Sequence, residues 1–355
     1  RVTVLLGELS TIDPGGRWAN RPTNSLTTIF LPWHPQTTAP PPKRLIAVRT
    51  LVKEVPEIAW PLLISLLPNQ HRITSGSHKP HWRQETKDLS KEEIQKEYPS
   101  QVTCYADLAI DMAKKDLGRL KQILEVMADL PPAVFGRLLN YLSSEAIIGL
   151  PERDRTLLWS VMMHFSVKHR RFADADWAVN EDVLRRVDAV AENLAPKNPS
   201  NFYRRLFCGR DFDLYIEADN WKEQQVRLDS LRQEAVLEIF LVEGLQAVIR
   251  FAEKVQFPNY VGTAFGTVAD NREDEEILPE LLNDPRNKIS RFVSYYIQAR
   301  HKIEGWEWAD RQLQKGWELE QKASFLTSLP FCSETWDRVE EHLGKDDTLY
   351  WEQVD

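Results

Sequence analysis

Between Pro151 and His169 the chain reads Pro151-Glu152-Arg153-Asp154-Arg155-Thr156-Leu157-Leu158-Trp159-Ser160-Val161-Met162-Met163-His164-Phe165-Ser166-Val167-Lys168-His169. Leu158, Val161, Met162 and Phe165 stand at i, i+3, i+4 and i+7. That spacing places four apolar side chains on one face of a helix. The same pattern returns at Ile289, Phe292, Val293 and Tyr296. Leu117, Leu120, Leu124 and Met127 share a face, as do Leu45, Val48, Val52 and Val55. Glu57 to Leu67 is apolar nearly all round, which predicts a buried helix. Proline punctuates these segments: Pro56 and Pro131-Pro132 each open a helix, where a missing N–H costs nothing. Ser90 with Glu93 has the capping-box pattern, and Asn180 can cap a helix over 181–194. Pro99 predicts a break in the helix that follows Ser90. No stretch alternates as a strand does, and no hairpin turn is present.

The prediction is an all-α chain of about 14 to 18 helices, paired consecutively through short links. A helical pair cannot bury its apolar face alone, so neighbours should stack into an elongated α-solenoid of the TPR or HEAT kind. Asn198-Pro199-Ser200 reads as a link, giving an N-terminal array over 1–197 and a C-terminal one over 198–355. Residues 69–88 form a long polar loop in the first. Asp270 to Glu276 is a run of charge that reads as a solvated turn.

Composition narrows the function. The 355 residues carry 45 Lys and Arg against 53 Asp and Glu, a net charge of −8. A body of that sign is no general binder of phosphate backbones. No run reaches the roughly 18 apolar residues of a membrane span. Cys104, Cys208 and Cys332 are too sparse for a zinc or redox motif, which fits free thiols in a cytoplasmic protein. The chain starts at Arg1 inside an apolar stretch, Val2-Thr3-Val4-Leu5-Leu6, and reads as a piece of a longer protein. There is no glycine-rich phosphate loop, and no nucleophile–base pair at a useful spacing. Carboxylate pairs such as Glu152/Asp154 and Asp174/Asp176 have no glycine-rich turn to position them, so no enzyme and no cofactor are predicted.

Two places can carry a site. The first is the loop from His71 to Arg83, with His71, Arg72, His78, Lys79, His81, Trp82 and Arg83. A basic loop holding an aromatic can grip a phosphate or a nucleic-acid backbone. Its three histidines lack the Cys or Glu that would close a metal site. Lys168-His169-Arg170-Arg171 adds a basic run at a helix end, where cations complement the helix dipole. The second place is the Trp-rich C-terminal quarter. Trp306 and Trp308 are two residues apart and cannot share a helix face, so one of them should be available to a partner. Trp60 and Trp159 lie on apolar faces and belong to the core.

The stretch from Leu26 to Arg83 carries the landmarks Ile29-Phe30-Leu31-Pro32-Trp33-His34-Pro35-Gln36-Thr37, Pro56-Glu57-Ile58-Ala59-Trp60 and Ser77-His78-Lys79-Pro80-His81-Trp82-Arg83, and the C-terminal end carries Leu329-Pro330-Phe331, Thr335-Trp336 and Tyr350-Trp351. Together they resemble the helical sensor arrays of STAND-type NTPases of bacterial antiphage defence. The resemblance implies a region that senses a foreign protein beside an NTPase core, and it brings no catalytic residue. The expected function is a protein-recognition or scaffold module. The alternative is a nucleic-acid-binding accessory region that uses the 71–83 loop.

Overall fold

The computed structural model describes residues 1–18, 20–68, 90–209 and 220–354. Among them are 19 α-helices and no strand. Contacts divide the chain into two compact units, Arg1–His169 with Ala173–Leu194, and Arg170–Phe172 with Ala195–Asp355.

The first unit holds α1 (Val2–Thr11), α2 (Pro22–Phe30), α3 (Pro41–Glu54), α4 (Pro56–Leu66), α5 (Lys91–Ala113), α6 (Leu117–Glu125), α7 (Pro132–Leu142), α8 (Glu145–Ile148), α10 (Glu181–Leu194) and all but the last two residues of α9 (Glu152–Arg171). Most packed pairs join helices one or two apart in order, such as α3 with α4 and α5. Leu158, Met162 and Phe165 are buried as their spacing requires, and so are Trp60 and Trp159. Ser90 and Glu93 form the capping box of α5. Asn180 accepts the Val183 amide at 3.0 Å.

The expected break at Pro99 is absent, because α5 runs through it to Ala113. Proline removes one rung of the helical ladder. The buried face from Gln101 to Ala113 and a buried cation offset that loss. Arg44 of α3 is sealed from solvent and donates to Gln101 Oε1 at 3.0 Å and Glu97 Oε2 at 3.2 Å, on either side of the proline.

The second unit holds α11 (Pro199–Tyr203), α12 (Trp221–Glu243), α13 (Leu245–Lys254), α14 (Pro258–Val268), α15 (Asn271–Leu281), α16 (Asn287–Leu313), α17 (Leu319–Thr327), α18 (Ser333–Leu343) and α19 (Thr348–Trp351). Gly305 interrupts α16 at φ 72°, a left-handed conformation that costs glycine little. Helices α14 and α16 lie in backbone contact. A Cβ at Gly262 would sit 2.2 Å from the Phe292 carbonyl oxygen, and one at Gly266 would sit 2.6 Å from that of Tyr296. Only glycine fits at either position.

Asp270 to Glu276 is the cap and first turns of a helix and not a solvated turn. Asp270 caps α15 in a capping box with Glu273, and Asp274 is fully buried. Its carboxylate accepts from Tyr296 Oη at 2.7 Å, from Arg300 Nε at 3.1 Å and Nη2 at 3.0 Å, and from Trp308 Nε1 at 2.7 Å. Arg300 Nη1 also donates to the carbonyl of Ala269, at the end of α14, at 2.9 Å. Burial opposes the charge of Arg300, but its hydrogen bonds to Asp274 and that residue's charge outweigh it and raise the guanidinium's pKa. Burial beside the same carboxylate raises the Tyr296 phenol.

Removing one member of a buried ion pair strands the other, so Asp274→Ala should destabilise the second unit by about 3–5 kcal/mol. Urea unfolding followed by tryptophan fluorescence reads this, and a loss below about 1 kcal/mol would contradict the role given to Asp274. Gly266→Ala should also destabilise, by wedging α14 from α16.

Candidate functional site

The loop residues His71, Arg72, His78, Lys79, His81, Trp82 and Arg83 lie outside the described residues. The other half of the basic reading is described, and its side chains are engaged locally. Lys168 Nζ lies 5.1 Å over the Trp177 ring. Arg171 covers Phe172 at 5.5 Å. His169 is buried, at 4% exposure. Its ring lies 4.2 Å from Phe165 and edge-on to Trp177 at 5.2 Å.

His169 Nδ1 accepts the Val179 amide at 3.1 Å, so the neutral ring carries its proton on Nε2. Burial, with Lys168 next to it, lowers its pKa to about 4. Phe165, Lys168, His169 and Trp177 line a cleft of about 770 Å³ in the first unit, with Glu125, Asp129, Val161, His164 and Asp176. The cleft draws on α6, the turn after it, α9 and the segment that returns toward α10. Sequence reading passed over it, because no local spacing links residues 125–129 to 164–177. The signal available was His164 with Lys168, four apart on a face of α9.

The two C-terminal tryptophans separate as their spacing requires. Trp308 is fully buried. Its indole N–H is committed to Asp274 and its ring packs on Phe325 at 5.6 Å, so it offers nothing to a partner. Trp306 is half-buried, with Arg338 stacked at 4.3 Å and His301 edge-on at 4.4 Å. Arg338 is itself held by both oxygens of Asp310, at 2.6 and 3.0 Å.

The aromatic side chains that reach solvent are others. Phe331, Trp336 and Trp351 are 63%, 40% and 45% exposed. They form one chain of contacts: Phe331 to Trp336 at 5.1 Å edge-to-face, Trp336 to Trp351 at 6.4 Å, and Trp351 to the buried Tyr350 at 4.9 Å. Helix α18 presents Trp336, α19 presents Trp351 and the bend before α18 presents Phe331, while Tyr350 roots them in the core. The surrounding chain is acidic, with seven carboxylates against Arg338 and Lys345 between Glu334 and Glu352. A further apolar stripe lies on α1, which turns Val2, Leu5 and Leu9 outward, with Ile12 just past its end, and packs through Gly7 and Ser10.

No known protein family, curated protein or solved structure matches this chain. Among the described residues no group of His, Cys, Asp and Glu is arranged to hold a metal ion. No described helix is long and apolar enough to cross a membrane.

The state of His169 gives a pH prediction. Its pKa is about 4 folded and about 6.5 in an unfolded chain. The unfolded chain therefore binds the proton more readily, and stability falls as pH drops from about 6.5 to about 4. Above that window the contribution is complete. The loss should total about 2–3 kcal/mol. His169→Asn, which can keep an acceptor for the Val179 amide, should flatten this part of the profile. Urea midpoints for both proteins between pH 7 and pH 4 measure it; parallel curves would rule out His169 as the source.

Proposed function

We propose that this chain is a protein-recognition or scaffold module, part of a larger bacterial protein, in which helical hairpins stack as in TPR and HEAT arrays. The observation that carries the reading is the exposed aromatic surface of Phe331, Trp336 and Trp351. Exposed, contiguous aromatic side chains are costly to leave in water, and Trp and Tyr are enriched where binding energy concentrates. Packing between helices one or two apart in order supports the stacked-hairpin arrangement. Under this reading the module senses a protein in the cytoplasm, as the arrays of STAND-type NTPases in antiphage defence do.

Charge favours a protein partner over a nucleic acid. Aromatic platforms for single strands lie in basic grooves. Here the segment that carries Trp336 and Trp351 is acidic, and its one arginine, Arg338, is committed to Asp310. A partner with a basic rim around an apolar centre fits this surface.

Bait pull-downs from the source cell, with and without nuclease, test the reading. The wild-type chain should recover a discrete protein. Trp336→Ala with Trp351→Ala should weaken recovery by about 30-fold or more, the scale of a lost hot spot. The variant should keep its helical circular-dichroism spectrum. Undiminished recovery would remove this surface from the interface. Recovery of nucleic acid alone, lost with nuclease, would overturn the protein reading.

A further inference from the structure

We propose that the aromatic surface of Phe331, Trp336 and Trp351 takes a proline-rich segment in the polyproline II conformation, flanked by arginine or lysine. The inference rests on the reading of that surface as a protein-recognition site, and it names the kind of chain the surface would hold.

One donor separates the possible partners. Trp351 is 45% exposed, and its indole N–H makes no hydrogen bond among the described residues. Native structures rarely bury such a donor without a partner, so it meets water and is open to an acceptor. Peptide partners come in three common backbone forms. An amphipathic helix offers its side, where the carbonyls are spent on its own ladder. An extended strand needs a sheet edge to join, and the described residues hold no strand. A polyproline II segment has no internal hydrogen bonds, so its carbonyls are free to accept. Its proline rings present apolar faces on a backbone that is already stiff, which keeps the entropy lost on binding small. Of the three forms, it alone uses both the aromatic rings and the free N–H.

Spacing agrees with this form. Ring centroids are 5.1 Å apart from Phe331 to Trp336 and 6.4 Å apart from Trp336 to Trp351. Two residues of polyproline II advance about 6 Å, so alternate residues of the segment meet successive rings. Charge sets the flanks. Glu340 lies one turn along α18 from Trp336, and Glu352 follows Trp351. Both side chains are exposed, and neither forms an ion pair among the described residues. A cation beside the prolines complements them, and an anion there is repelled.

Calorimetric titration of the full chain tests this, with decaproline carrying two arginines at each end as the probe. It should bind saturably at about 0.1 M salt. The same peptide with glutamates in place of the arginines should bind about tenfold more weakly. Trp351→Phe keeps an apolar ring and removes the N–H, and should weaken the arginine peptide about fivefold. Trp336→Ala with Trp351→Ala should weaken it about 30-fold or more, with the helical circular-dichroism spectrum retained. An amphipathic leucine–arginine helix of equal charge is the competing probe. No binding of the proline peptide at millimolar concentration overturns the proposal. So does equal binding of the glutamate peptide, unchanged affinity in Trp351→Phe, or tighter binding of the helical peptide. The pull-down keeps these failures apart from failure of the recognition reading: a discrete protein recovered by the wild type and lost with the double variant leaves the surface an interface, for a partner of another form.

Discussion

The second unit is organised around one buried negative charge. Asp274 has no contact with water, and an uncompensated carboxylate there would not survive folding. It is compensated by Arg300, which meets both its oxygens, and by the hydroxyl of Tyr296 and the indole of Trp308. Each donor comes from α16, but from different turns of it. Trp308 lies beyond the bend at Gly305, so the carboxylate holds the two arms of α16 at one angle. A fully apolar replacement would have to satisfy or remove three donors together. The network is therefore a stronger specification of geometry than a source of net stability.

The close approach of α14 to α16 makes that network possible. Tyr296 is both the residue whose backbone touches Gly266 and the one whose hydroxyl reaches Asp274. Gly262 and Gly266 recur at four residues, one helical turn, so a strip of bare backbone faces α16. Any side chain on that strip would push Tyr296 and Arg300 away from α15 together. Arg300 closes the arrangement from the other side by binding the Ala269 carbonyl, an acceptor left over at the end of α14. Three helices thus share one set of constraints, and a fault in any of them is felt by the other two.

The helical character was legible because it rests on local spacing. Leu158, Met162 and Phe165 on α9, and Ile289, Phe292, Val293 and Tyr296 on α16, are buried as their periods require. The capping residues Ser90 and Asn180 were legible for the same reason. What misled was the assumption that charge means solvent. Asp270 to Glu276 looks like a turn only if its carboxylates face water, and the residue that contradicts this, Arg300, lies 26 positions away from Asp274. Pro99 misled in the same way, since what sustains α5 through it includes Arg44, more than 50 residues upstream. At the C-terminus, spacing separated Trp306 from Trp308 but did not tell which aromatic side chains stay exposed. That depends on where α18 and α19 meet, and it brings forward Trp336 and Trp351.

Those exposed rings carry an argument of their own. The unit does not lack a core to hide them in: Trp308, Phe325, Tyr296 and Tyr350 are all fully or almost fully buried. Phe331, Trp336 and Trp351 stay outside although Tyr350, next to Trp351 in the chain, is inside. Alternation of this kind on a four-residue helix fixes one ring as an anchor and leaves its neighbour facing water. One edge-to-face and one tilted contact then hold the exposed rings to one another, which lowers the entropy they would lose on meeting a partner. A surface that is apolar, already ordered and carried on an acidic segment is suited to a partner whose own surface is apolar at the centre and basic at the edge.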